Sequence, residues 1–113
     1  MIRRGEIWWA ALPDAAGSGP GFRRPVLVVQ ANGFNDSAIR TVICAVITAN
    51  LRLAKAPGNV HLSRRASGLS KESVVNVSQL ITLDKPFLTE RAARLAPAAL
   101  RNVEAGLRLA LAL

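Results

Sequence analysis

Two β-branched runs constrain this chain most: Pro-Val-Leu-Val-Val-Gln-Ala at 25–31 and Thr-Val-Ile-Cys-Ala-Val-Ile-Thr at 41–48. Each reads as a strand buried on both faces, and together they form the centre of a sheet. Residues 32–36, opening Asn-Gly, turn between them. An antiparallel pairing through that connection sets Arg24, at the start of the first strand, beside Thr48, at the end of the second. Residues 6–12 (Glu-Ile-Trp-Trp-Ala-Ala-Leu) form an earlier strand, and 13–24 follow as a turn-rich loop holding Gly17, Ser18, Gly19, Pro20 and Gly21. Short strands fall at 59–62, 73–77 and 81–83, with a further one over 92–95. Short strands parted by polar turns fit a small barrel better than a βαβ sheet. The expected class is therefore mainly β with a C-terminal helix, an α+β small barrel.

Pro97 suits the first turn of that helix, and Leu100, Val103, Leu107 and Leu111 then share one stripe facing the barrel. Glu104 lies three residues after Arg101 and four before Arg108, which supports the polar side. Leu109 and Leu113, near Gly106, project from the opposite side and call for a partner surface. At 113 residues the chain makes one domain, 1–113. A domain of this size buries about two-thirds of its unfolded surface, so a second subunit covering spare apolar area is expected.

Fifteen Lys and Arg against seven Asp and Glu leave a net charge of +8, while half of the residues are apolar and only 19% charged. That balance excludes a disordered basic tail and points to a folded domain serving a polyanion. The lone Cys44 excludes an intrachain disulfide framework and a multi-thiolate zinc site. The apolar stretch from Ile7 to Leu12 is too short for a signal-peptide core, and no run spans a membrane, so the protein is expected to be cytoplasmic with no membrane partner.

The chemistry concentrates at one sheet end. A guanidinium at Arg24 and a hydroxyl at Thr48 suit a phosphate, the Arg giving bidentate charged bonds and the Thr a third donor; the ordinary reading of such an Arg is solvated surface. Arg64 and Arg65, like Arg52 and Lys55 in the loop after Thr48, read equally as backbone-tracking cations or as surface charge. Trp8 and Trp9 point to opposite faces of one strand, one expected in the core and the other exposed. His61 is alone, and one imidazole cannot fill both proton-transfer roles of a strand cleavage. No Walker loop, HExxH or carboxylate cluster with metal spacing occurs, so a metal enzyme is not expected.

Several segments taken together carry a resemblance: Arg4-Gly5-Glu6-Ile7-Trp8, the Gly17-Ser18 loop leading to Arg24-Pro25-Val26-Leu27-Val28, Ala45-Val46-Ile47-Thr48, Ser73-Val74-Val75 followed by Gln79, and Leu88-Thr89 before the last helix. In these, from about Arg4 to Ala112, the chain resembles the MazF/PemK-type toxins of bacterial toxin–antitoxin systems. The resemblance implies an SH3-like or plasmid-toxin (CcdB/PemK-type) barrel and a homodimer. It also implies metal-independent, cofactor-free cleavage of single-stranded RNA at short motifs, silenced by an acidic antitoxin. Matched by position, the catalytic residues are Arg24 and Thr48, and the candidate RNA-binding residues are Ser18, Arg23, Asn50, Lys55 and Gln79. The sequence departs from the pattern at Gly19 and Ser78, where relatives carry acidic residues. A non-enzymatic CcdB-type toxin that binds a topoisomerase is the alternative on the same barrel. That type uses a terminal Trp-Gly-Ile, whereas this chain ends Leu111-Ala112-Leu113.

Overall fold

The computed structural model describes residues 1–12 and 22–113; Ser18 and the rest of the glycine-bearing loop lie outside the described residues. One antiparallel sheet organises the chain. Its strands are β1 (Glu6–Leu12), β2 (Phe22–Val28), β3 (Thr41–Thr48), β4 (Val60–Leu62), β5 (Ser73–Asp84) and β6 (Leu88–Arg94), in the order β4-β5-β3-β2-β1-β6. The two β-branched runs are indeed central neighbours, and the mainly β fold with a terminal helix is the architecture found.

Four boundaries differ from expectation, each for a local reason. β2 runs over Phe22–Val28 rather than 25–31, because Phe22 already pairs with Leu12 of β1, while beyond Val28 the Gln30 side chain takes over. Its Oε1 accepts from Ile43 N at 3.2 Å, and its amide nitrogen donates to Asn35 Oδ1 at 2.9 Å and Thr41 O at 3.1 Å. The 32–36 turn closes as a single helical turn, α1 (Asn32–Asn35), with Asn35 buried against Gln30. The two segments 73–77 and 81–83 are one strand interrupted by a bulge: Ala45 faces Leu80 and Val46 faces Asn76, which leaves Val77, Ser78 and Gln79 without partners on β3. The strand expected at 92–95 begins earlier, at Leu88, pairing with β1 from Ala10 to Glu6.

The sheet curls. Its edges, β4 and β6, are bridged by the short turn α2 (Arg64–Ser67), capped at its start by the Ser63 hydroxyl. It ends on Gly68 at φ 71°, whose Cα sits so close to β6 that a Cβ there would lie 2.8 Å from Ala92 O. Apolar clusters form on both faces. Ile7, Leu27, Ile47, Leu62, Val75, Leu95 and Val103 make one; Ala10, Val26, Val28, Val42, Cys44 and Leu83 make the other. Consequently neither tryptophan is fully exposed: Trp8 and Trp9 are both half-buried, each against its own cluster, which corrects the core-and-solvent assignment. Burial pushes the Cys44 thiol up to about 12, so it is a packing group.

Helix α3 (Pro97–Leu111) covers the first cluster with Val103 and the backbone of Gly106. Gly106 therefore faces the barrel, not the outer side. Leu111 is half exposed, so the inward stripe ends at Leu107. Ala112 adopts φ 57°, and Leu113 N donates to Arg108 O at 3.0 Å, which folds the last residue back toward Leu111 rather than out beside Leu109. Glu104 pairs with Arg4 at 2.5 Å instead of with its helical neighbours, tying α3 to the start of β1.

Glu6 is the buried charge of the fold, 1% exposed. Burial alone pushes its pKa up. Against that, Trp8 Nε1 donates to it at 3.0 Å, Arg91 at 3.0 Å and Arg3 N at 2.8 Å, and together with the Arg91 charge they hold it below the ordinary glutamate range. A depressed carboxyl contributes stability that is fully present above its unfolded value and lost as the pH falls through the folded one. Glu6→Gln is expected to cost about 2 kcal/mol at pH 7, and the gap to wild type should narrow in urea titrations as the pH falls below the ordinary glutamate range. Gly106→Ala gives a second test. An added methyl would collide with Gly58 O, so a change that favours an isolated helix by about 1 kcal/mol should here lower the melting temperature, with a net loss of about 1–3 kcal/mol.

Candidate nucleic-acid cleft

The β2–β3 register builds the site. Val26 faces Val46, Leu27 faces Ala45 and Val28 faces Cys44. Arg24 lies two residues before Val26 and Thr48 two after Val46, so the ladder carries both to the same sheet end and, by the strand period of two, to the same side. Both are half-buried and both line a cleft of about 340 Å³. Among the described residues Arg24 has no ion-pair partner. Thr48 Oγ1 accepts from Asn50 N at 3.1 Å, which orients the hydroxyl and leaves its proton available as a donor.

The cleft also holds Trp9, Arg23, Pro25, Ile47, Leu69, Ser70, Lys71 and Ser73. Arg23 is a strand neighbour of Arg24 and so belongs to the other sheet face, with its guanidinium carbon 4.9 Å from the centroid of the Trp9 ring and its Nη2 3.1 Å from Glu90 Oε1. Lys71 is a third cation, and sequence reasoning missed it. Its signal is topological: β5 starts at Ser73 beside the strand that ends at Thr48, with Thr48 facing Val74, so the residues before Ser73 must arrive at that end.

The other sequence candidates lie elsewhere. Asn50 starts the 3₁₀ turn Leu51–Lys55, where its Oδ1 accepts from Arg52 N at 3.2 Å, and Lys55 is exposed at that turn's end. Gln79 sits on the β5 bulge, 3.5 Å from Asn76 Nδ2. None of the three lines the Arg24–Thr48 cleft. His61 lines a separate cavity with Asn102 and Leu109 beneath α3, its Nε2 2.9 Å from Glu72 Oε1. Arg64 and Arg65 border a further depression with Ser63, Leu69, Ser70 and Glu72.

A curled antiparallel sheet covered by a terminal helix, with arginine and threonine side by side at one sheet end, places the molecule among the small-barrel toxins. The chain belongs to the PemK-like, MazF-like toxins of type II toxin–antitoxin systems, whose family model matches residues 3–111. It is 46% identical over 108 residues to the endoribonucleases MazF6 of Mycobacterium tuberculosis and MazF2 of Mycobacterium bovis, covering 96% of this chain and 95% of each relative. It is 34% identical to the endoribonuclease EndoA of Bacillus subtilis over 113 residues, all of this chain and 97% of that one. Among solved structures it is similar to a mycobacterial endoribonuclease in complex with its cognate antitoxin. That match has a TM-score of 0.80 at 25% identity, over 100% of this chain and 97% of the other. A MazE–MazF complex from Deinococcus radiodurans matches with the same score and identity, over 99% and 96%.

Proposed function

We propose that this chain is a sequence-selective, metal-independent endoribonuclease toxin that cuts single-stranded RNA and leaves a 2′,3′-cyclic phosphate. The observation that carries the reading is the placement of Arg24 and Thr48 on one side of one sheet end, lining a cleft that also holds Arg23 and Lys71. The names of the relatives and the net charge of +8 support it.

In the reaction the 2′-oxygen attacks the adjacent phosphorus as its proton leaves to a base. The bond from phosphorus to the 5′-oxygen breaks, and that oxygen takes up a proton. Negative charge gathers on the phosphoryl oxygens, where a fixed guanidinium and a hydroxyl donor stabilise it more than they stabilise the ground state. A guanidinium is a poor base; the roles of Arg24 are charge stabilisation and proton donation to the departing oxygen. Thr48 adds a directed hydrogen bond. The cations Arg23, Arg24 and Lys71 supply in side chains the charge that a metal would otherwise bring.

A toxin of this charge is held by an acidic, partly disordered antitoxin segment lying along the cleft. The functional unit we infer is a homodimer formed through the apolar face where Phe34, Ile43, Leu80, Leu107, Leu111 and Leu113 surround a cavity of about 470 Å³. Leu113 is 84% exposed and Phe34 58%. Fully burying two such side chains is worth roughly 3–6 kcal/mol, and a twofold axis serves both subunits with one patch.

Purified protein incubated with a long RNA in EDTA tests the reading: fragments ending in cyclic phosphate are expected. Intact RNA would leave the topoisomerase-binding alternative. Arg24→Ala should lower cleavage by about 100-fold or more, and Thr48→Ala by about tenfold, on folded protein; activity within a few-fold of wild type in either places the chemistry elsewhere. Sedimentation at micromolar concentration should give a dimer that Leu111→Asp converts to monomer, whereas Leu109→Asp, on the far side of α3, leaves it intact.

A further inference from the structure

Among the described residues five ion pairs occur, and four of them tie the fold together away from the cleft: Arg3 with Asp36, Arg4 with Glu104, Arg91 with Glu6, and His61 with Glu72. The fifth is different. Glu90 holds Arg23, a cation that lines the cleft. The pair spans three strands of one sheet face: Glu90 on β6 faces Trp9 on β1, Trp9 faces Pro25 on β2, and Arg23 lies two residues before Pro25. Its guanidinium therefore crosses the Trp9 ring to reach the carboxylate.

The geometry points to a substrate-displaced strap: binding of a single strand transfers the Arg23 guanidinium from Glu90 to a phosphate, and Glu90 is a built-in brake on nucleic-acid affinity. Three observations favour transfer over a fixed strut. Both side chains are more than half exposed, 55% and 67%, so the pair is worth little in water and costs little to open. The pair is the only carboxylate contact to a cleft cation among the described residues, so opening it frees that cation for an incoming phosphate. The guanidinium also covers Trp9, and moving it uncovers an aromatic face on which a base of the same strand can stack.

This inference rests on the nucleic-acid reading of the cleft, and its test separates the two. The probe is a fluorescein-labelled, mixed-sequence single-stranded DNA 12-mer, which lacks the 2′-hydroxyl and so stays intact. Glu90→Gln should bind it about two- to fivefold more tightly than wild type, whereas Arg23→Ala should flatten the salt slope by about 0.7, the loss of one phosphate contact. In an Arg23→Ala background the same Glu90→Gln change should do nothing. Binding by Glu90→Gln no tighter than wild type, or an equal gain with and without Arg23, overturns the strap, since the second outcome is only the general effect of removing a negative charge. Long RNA cut by wild type alongside either result leaves the endoribonuclease reading standing; RNA left intact refutes that reading independently.

Discussion

The register of β2 against β3 is the constraint on which the rest of the molecule depends. A slip of one residue would turn every side chain of β2 to the opposite face. Leu27 would leave the cluster under α3, Val26 and Val28 would leave the other cluster, and Arg24 would part from Thr48. Because both faces of the curled sheet are buried at this point, the slip is penalised twice, which is why two continuous β-branched runs are found where an alternating pattern would serve a half-buried sheet. The energy that fixes the core thus also fixes the distance between the two groups of the cleft.

The second constraint is the buried carboxylate of Glu6. An unpaired buried charge is costly, and here three donors, from Arg3, Trp8 and Arg91, compensate it. Arg91 reaches Glu6 from β6, so the tie holds an edge strand in place against β1. Its strand neighbour Glu90 points to the other face and meets Arg23 over Trp9. One residue of β6 anchors the strand, and the next occupies a cation of the cleft. Structure and site are linked here by simple strand alternation.

The central strands, the terminal helix and the juxtaposition of Arg24 with Thr48 were legible in the sequence because they follow from short-range pattern and one turn. Three features were not. The β5 bulge looks like a turn because Asn76, Ser78 and Gln79 are polar, yet Val77 N is satisfied by Asn59 Oδ1 at 2.9 Å, and only the fold brings Asn59 there. The inward position of Gly106 depends on contact with Gly58, nearly fifty residues away, and no helical period reveals it. Lys71 enters the cleft through strand order, whereas Asn50 and Lys55, close to Thr48 in sequence, are taken up by a 3₁₀ turn that leads away from it. Local pattern found what sits on the central ladder; tertiary pairing decided what gathers around it.

The distribution of charge completes the argument. Of the acidic residues in the described chain, Glu6, Asp36, Glu72 and Glu104 are engaged in pairs that hold elements together, so the cations left over set the field outside. A field of that sign favours a polyanion at the surface without choosing a point of attack. On the proposed reading, selection of the point falls to the groups just beyond the β2–β3 pairing. Asn50 N orients the Thr48 hydroxyl and strand register brings the Arg24 backbone to the same sheet end, so on the proposed reading both groups are at hand when charge develops on a phosphate. With His61 engaged by Glu72 in a different cavity, proton transfer at the cleft cannot be a histidine relay. On the reading proposed for Arg24 and Thr48, electrostatic preorganisation is then the means of acceleration.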